Sequence, residues 1–259
     1  MNPIAFVITA TNQGTFILNK NDYKLVEEGK GFGVGFSLLN TGSYDAIEVD
    51  FLKVLLNKRR KNFGDGVIAI DCGANIGIHT VSWARMMASW GYVVSIEAQE
   101  KIYYALCGNI AINNCFNVAA RNLAVGAENG SLMIPEPNYF QPSSYGSLEL
   151  KDHKDKENIG QEIINKKQIS VITIDSIGLQ RCDLIKIDVE RMEHEVLSGA
   201  WETIDKFHPI LFIEVAKCID ITGFLAEHGY QTYPLGANLL AVHESDPLKV
   251  TVTEQGVSV

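Results

Sequence analysis

The segment that most constrains this chain is Val67-Ile68-Ala69-Ile70-Asp71-Cys72-Gly73-Ala74-Asn75-Ile76-Gly77. A short apolar run bounded by turn residues reads as a strand buried on both faces. Gly73 and Gly77 then let the backbone turn sharply into a helix and let a ligand approach the main chain closely. That helix is read over Ile76–Trp90, with Trp83, Met87 and Trp90 on one apolar stripe. Its N-terminus offers unpaired N–H groups and a partial positive charge, which suit a carboxylate or phosphate.

Strands and helices alternate after this point. Strands are expected at Tyr92–Ile96, Val118–Ala124, Val171–Ile174, Leu184–Val189 and Ile210–Val215. Helices are expected at Lys101–Asn113, Met192–Asp205 and Ile219–His228, the last stopped by Gly229. Tyr230–Pro234 and Leu239–His243 read as two antiparallel-type strands. Residues 125–135 suggest a hairpin around Glu128-Asn129-Gly130, and the polar residues 136–168 a long functional loop. Before the core, residues 5–19 read as a hairpin and 20–43 as a glycine-rich loop with short strands. Residues 46–62 read as a helix presenting Ile47, Phe51, Val54 and Leu55. The expected fold is α/β: a Rossmann-like, doubly wound, seven-stranded and mostly parallel sheet with an antiparallel last strand. Residues 1–62 would form a hairpin and helical cap, and 63–259 the main domain.

Composition excludes some partners. The net charge of −9 argues against non-specific binding to nucleic acid or an anionic membrane, which needs clustered Lys and Arg. The one basic run, Lys58-Arg59-Arg60-Lys61, reads as a solvated helix end. No stretch approaches the length of a transmembrane helix, and Met1–Ala10 lacks the basic and long apolar regions of a signal peptide. Cys72, Cys107, Cys115, Cys182 and Cys218 form no C-x-x-C pair, so reduced thiols in a cytoplasmic protein are expected.

Glu97 ends the second strand, where an acidic side chain of a Rossmann-like fold accepts hydrogen bonds from ribose hydroxyls. A dinucleotide site prefers G-x-G-x-x-G, and the third glycine is absent. Adenosylmethionine has no pyrophosphate and carries an ammonium, a sulfonium and a carboxylate, which suit Asp71 and the helix start. The candidate donor-binding set is Asp71, Gly73, Ala74, Asn75, Gly77, Thr80, Glu97, Ala98, Asn122 and Asp188, with Asn122 at the adenine edge.

Asp71-Cys72-Gly73-Ala74-Asn75-Ile76-Gly77 resembles the first motif of the FkbM family of methyltransferases, D-x-G-A-N-x-G. Ser95-Ile96-Glu97-Ala98 looks like its second motif, and Asn109 and Asn113 fit its asparagine-bearing helix. Leu184-Ile185-Lys186-Ile187-Asp188-Val189-Glu190 is similar to its L-x-K-I-D-V-E-G segment, continued by Glu193 and Leu197-Ser198-Gly199-Ala200. Pro209–Glu214 resembles its P-x-x-x-x-E strand. Arg191 departs from the pattern, standing where the family usually has glycine. The resemblance runs from about residue 44 to 215 and implies methyl transfer from S-adenosylmethionine, leaving S-adenosylhomocysteine, to a hydroxyl of a small molecule or sugar.

Methyl transfer to a hydroxyl needs collinear positioning and a proton acceptor. Asp188, Glu190 and Glu214 sit at strand ends where they converge in this topology, so Asp188 or Glu190 is expected to orient or deprotonate the acceptor. Asp188 and Glu193 capping the following helix is the structural alternative. Asp188 and Glu214 also occupy positions where catechol-type enzymes hold Mg²⁺, a reading disfavoured because no Asp-Asn pair follows the later strand. His79 is the remaining candidate base. His194 reads as a surface residue, Tyr103 and Tyr104 as packing residues, and Tyr139, Phe140, Ser143, Ser144 and Tyr145 as acceptor-pocket candidates. A NAD-linked oxidoreductase and a non-catalytic nucleoside-binding protein are the competing readings. The expected partner is a small-molecule or carbohydrate acceptor, with a homo-oligomer compatible.

Overall fold

A computed structural model describes residues 4–27, 30–151, 154–155, 158–215, 221–253 and 256–259. The chain opens with the expected hairpin, β1 (Phe6–Thr11) and β2 (Gly14–Asn19), then a small pair, β3 (Lys24–Glu27) and β4 (Lys30–Phe32). The segment expected to be loop also contains a helix, α1 (Val34–Thr41). The long helix α2 (Ala46–Phe63) follows. It buries Val49, Leu52, Leu55, Leu56 and Arg59, while Ile47 is 90% exposed and Val54 44%. The face read from sequence was therefore rotated from the true one. Arg59, expected in solvent, lies buried with its Nε 3.2 Å from Asp183 Oδ1 and its guanidinium also paired to Asp246.

The core then runs β5 (Val67–Cys72), α3 (Ile78–Met86), β6 (Gly91–Ile96), α4 (Glu100–Ile112) and β7 (Val118–Arg121). The chain next leaves the main sheet. Strands β8 (Ala124–Val125), β9 (Gly130–Pro135) and β10 (Lys166–Ile172) form a second sheet in the order β8-β10-β9. The expected hairpin over 125–135 does not form, because β10 lies between the two runs, parallel to one and antiparallel to the other. The main sheet resumes with β11 (Leu184–Ile187), α5 (Glu193–Ser198), α6 (Trp201–Phe207), β12 (Ile210–Glu214), α7 (Thr222–Glu227), β13 (Tyr230–Leu235) and β14 (Asn238–His243). A helix expected over Met192–Asp205 is broken in two at Gly199, where a Cβ would stand 2.1 Å from the Gly126 carbonyl oxygen. Two short strands, β15 (Thr251–Thr253) and β16 (Gly256–Ser258), close the chain. Cys218 and the first two residues of the expected Ile219–His228 helix lie outside the described residues.

The seven-stranded sheet has the order β13-β14-β12-β11-β5-β6-β7. All pairings from β12 to β7 are parallel, and β14 is inserted antiparallel between β12 and β13. The chain is thus a doubly wound α/β protein with an antiparallel last core strand. Alternate residues feed two cores, as the pleat requires. Val67 and Ala69 join Phe16, Leu52 and Trp83 on one side; Ile70 and Cys72 join Val196, Leu197 and Ile204 on the other. Cys72, Cys107, Cys115 and Cys182 are unpaired thiols. Among the described residues no helix is long and apolar enough to cross a membrane.

Candidate functional site

Parallel strands end their hydrogen-bonding ladder at the carboxyl edge, so loops there surround a crevice. In this chain the crevice is a cleft of about 420 Å³, within the usual range of small-molecule sites. The glycine loop forms its floor. Gly73 has φ 77°, and a Cβ there would stand 1.7 Å from the Asp188 carbonyl oxygen. Only glycine lets the ends of β5 and β11 approach this closely. Asn75 also sits in the left-handed region, at φ 50°, which asparagine tolerates better than most residues.

The loop amides are already engaged. Those of Gly73 and Ala74 donate to Ile96 O, that of Gly77 to Ala74 O, that of Ile76 to the Asn75 side chain, and that of Asn75 to Glu97 Oε2 at 2.9 Å. Any anion at this end therefore falls to the first-turn amides of α3 rather than to the loop.

Glu97 is 6% exposed and lines the cleft at the end of β6. It accepts N–H groups from Asn75 and, at 2.7 Å, from Gln99, which leaves a lone pair on each oxygen for a ligand. Burial pushes its carboxyl up to about 7, against the pull of those two hydrogen bonds.

Of the ten candidate donor-binding residues, Gly73, Ala74, Asn75, Glu97, Ala98 and Asp188 line the cleft. Asp71, Gly77, Thr80 and Asn122 do not, which corrects their expected direct contact. Thr80 donates to Asp71 Oδ2 at 2.6 Å, and both are buried behind the loop. A Cβ on Gly77 would meet Leu106 at 2.6 Å, so this glycine serves helix packing. Asn122 donates to the carbonyls of Glu97 and Ala98 and so fixes the end of β6. Its amide is occupied there rather than at an adenine edge.

The four candidate catalytic residues, His79, Asp188, Glu190 and Glu214, all line the same cleft. Lys186, buried beneath them, places Nζ 2.7 Å from Asp188 Oδ2 and 3.9 Å from Asp71 Oδ1. Burial works to strip the Lys186 proton, but the Asp188 and Asp71 charges outweigh it and hold the ammonium above its usual value. Asp188 remains 37% exposed on its cleft side. The protein packed on its other side works to raise it, yet Lys186 and a hydrogen bond from Glu214 hold it below the usual carboxylate range. Burial and the Asp188 charge push Glu214 up to about 9, so Glu214 carries the proton of this pair near neutrality. Asp188, Glu190 and Glu214 each offer an oxygen within 4.8 Å of the others, a donor set of the type Mg²⁺ takes. Lys186 offsets one of these charges, and we assign no metal there.

Sequence reasoning missed the rest of the wall. Tyr44, Asp45 and Glu48 line the cleft from the start of α2, with Phe32 before α1 and Asn238 from β14. Glu48 Oε1 lies 3.1 Å from His79 Nε2, and Asn238 donates to Glu48 Oε2 at 2.8 Å. No periodicity signals a contact between residues 190 positions apart.

The long loop contributes Ser144, Gly146, Ser147, Leu148 and Leu150. Of the acceptor-pocket candidates only Ser144 lines the cleft; Ser143 and Tyr145 are fully buried and Phe140 points outward at 56% exposure. Tyr139 packs on Tyr145, with ring centroids 4.9 Å apart. The loop is pinned by Asp22, which accepts the N–H groups of Tyr145 and Gly35, and by Gln99, which donates to Tyr145 O at 2.8 Å. His194 is exposed as expected, whereas Tyr104, read as a packing residue, is 57% exposed.

The profile described as the methyltransferase FkbM domain matches residues 71–232. The chain is similar to methyltransferase 1 of Beauveria bassiana (strain ARSEF 2860), at 25% identity, covering 55% of this chain and 64% of that protein. It is also similar to methyltransferase sdnD of Sordaria araneosa, at 24% identity, covering 55% of this chain and 65% of that protein. The matches thus span slightly less than two thirds of these relatives. Among solved structures it is similar to methyltransferase FkbM from Methylobacillus flagellatus KT, at 18% identity and TM-score 0.48, covering 69% of this chain and 43% of that one.

Proposed function

The chain belongs to the FkbM methyltransferase family, and from that premise we propose that its cleft binds S-adenosylmethionine and directs the methyl group to a hydroxyl of a small molecule or sugar. The observation that carries the reading is Glu97: a buried carboxylate with an open lone pair on each oxygen, fixed against the glycine loop. Such a group suits a ribose diol. The residues present fit the cofactor. Glu97, Ala98 and the loop Gly73–Asn75 would hold the nucleoside, and Asp188 and Glu190 suit its cationic groups. When bound, the cofactor supplies an electrophilic methyl group. The chain's own work is to hold a hydroxyl in line, exclude water and remove a proton, with positioning worth up to about 7–11 kcal/mol.

Lys186 keeps Asp188 ionised and fixed, so Asp188 orients rather than deprotonates. The net charge of −9 and the acidic cleft favour a neutral or cationic small acceptor over a nucleic acid. The test is calorimetry with adenosylhomocysteine and with NAD, followed by adenosylhomocysteine release from a panel of sugars and hydroxylated metabolites. Adenosylhomocysteine binding with turnover of a hydroxyl compound is expected. NAD binding alone would reject the reading, and binding without any turnover would favour a nucleoside-binding protein.

A further inference from the structure

The start of α2 carries Asp45-x-x-Glu48, the spacing of a helix capping box. The two acids do not serve as one. Asp45 holds the N-cap position at φ 44° with no side-chain cap hydrogen bond. Glu48 accepts a hydrogen bond from Asn238 of β14 instead, and both acids line the cleft. The turn that carries them is held firmly. The Tyr44 backbone exchanges two hydrogen bonds of 2.8 Å with the side chain of Gln13, in the turn of the N-terminal hairpin. Tyr44 lines the cleft beside the acids. Burial and the charges of Asp45, Asp188, Asp22 and Glu214 push its hydroxyl above the usual range, so it stays a neutral phenol.

Little positive charge meets this wall. Lys186 is the one Lys or Arg among the described residues that line the cleft, and it is committed to Asp188 at 2.7 Å. His79 Nε2 lies 3.1 Å from Glu48 Oε1, outside hydrogen-bond geometry, and offsets Glu48 only when protonated. Asp45 is exposed and makes no ion pair among the described residues. The protein packed behind it and the Glu48 charge hold its carboxyl above the usual range, so the two acids repel each other across a cleft that brings them no further cation. Two fixed carboxylates beside an aromatic ring suit an ammonium: the carboxylates accept its N–H groups and the ring attracts its charge.

We propose that the acceptor bears an ammonium group as well as its hydroxyl, and that Asp45 and Glu48 receive that ammonium beside the Tyr44 ring. This deepens the methyl-transfer reading above and rests on it. The sheet order β14-β12-β11-β5-β6 sets Asn238 and Glu97 about 19 Å apart, at about 4.8 Å per strand, with Asp188 between them. Donor and acceptor therefore divide the cleft. The nucleoside lies at Glu97, the ammonium at the start of α2, and the hydroxyl meets the methyl group near Asp188. Asp45, Glu48 and Asn238 all lie outside residues 71–232, so this choice of acceptor is made by segments beyond the matched domain.

The experiment saturates the protein with adenosylhomocysteine and titrates matched compounds by calorimetry: glucosamine against glucose and N-acetylglucosamine, and tyramine against 4-ethylphenol. At least one amine should bind about 10–100-fold more tightly than its neutral partners, the range expected of hydrogen bonds to charged groups, and the preference should shrink at high salt. Asp45→Asn keeps a residue type that tolerates a positive φ, and Glu48→Gln keeps an oxygen for Asn238. Each should bring the amine towards the affinity of its neutral partner while adenosylhomocysteine still binds as in the wild type. Where the amine is turned over, the loss should fall in KM more than in kcat, which a merely structural role would not produce. Absence of any preference for an amine overturns the proposal, whether the neutral compounds bind or none does. A preference that survives both substitutions overturns it too. Failure of adenosylhomocysteine to bind would instead reject the methyl-transfer reading, and the same titrations on the unliganded protein would still decide whether Asp45 and Glu48 receive an ammonium.

Discussion

At the scale of the residue, Glu97 performs two tasks with one carboxyl. Each oxygen takes one amide N–H from the adjoining backbone and faces the cleft with what remains. Burial raises its pKa from 4.5 to about 7 in the folded chain. The ionised form therefore dominates only above about 7, and adenosylhomocysteine affinity should fall as the pH drops from 8 to 6. Hydrogen bonds to a charged group are worth about 1.5–3 kcal/mol, so Glu97→Gln should weaken binding about 10–100-fold at pH 8 and flatten the pH dependence. Calorimetry at the two pH values checks both; an unchanged profile in the variant would remove Glu97 from donor binding. Gly73, Asn75 and Glu97 were legible because their geometry is set within a few residues of a strand end. Asp71, Thr80 and Asn122 lie just as near in sequence, yet their side chains turn inward, and spacing alone does not reveal that. Glu48 and Asn238 meet only because two distant segments fold onto one edge.

At the scale of the element, α2 shows where pattern reading fails. Its sequence carries two interleaved sets of apolar residues, and only the sheet it packs against selects Val49, Leu52 and Leu56 over Ile47 and Val54. The second sheet was illegible for a related reason: β8 pairs with a strand about forty residues away, not with its neighbour in sequence. The turn after β11 was flagged by Arg191, and the structure explains the flag. Glu190 has φ 51° and Arg191 φ 72°, conformations that cost a non-glycine residue about 1–3 kcal/mol each. Arg191 also grips Asp155 with two contacts of 3.0 Å and lies 3.6 Å from Glu149. Strain and tether oppose one another. Arg191→Gly should therefore leave the melting temperature nearly unchanged while speeding tryptic cleavage after Lys151 or Lys154. Equal cleavage rates, followed by mass spectrometry, would show that the tether does not hold the loop.

At the scale of the whole molecule, the N-terminal hairpin is stitched into the core by Asn109 of α4. This fully buried side chain accepts the Ile17 N–H at 2.6 Å and donates to Ile17 O and Ile76 O at 3.0 and 2.8 Å. Hydrogen bonds of this kind contribute about 0.5–1.5 kcal/mol each, so Asn109→Ala should cost about 2–4 kcal/mol in urea unfolding. Because the hairpin residues Phe16 and Leu18 share a core with Val67 and Trp83, the transition should stay single. A separate early transition would show that the hairpin folds apart from the sheet.

The wall formed by Phe32, Tyr44, Asp45, Glu48 and Asn238 belongs to the two flanks of the chain, while the glycine loop and Glu97 belong to its middle. The two are therefore separable along the chain. Substitutions at residues 32–48 or at Asn238 can redraw what enters the cleft and leave untouched the stretch that carries Gly73 and Glu97.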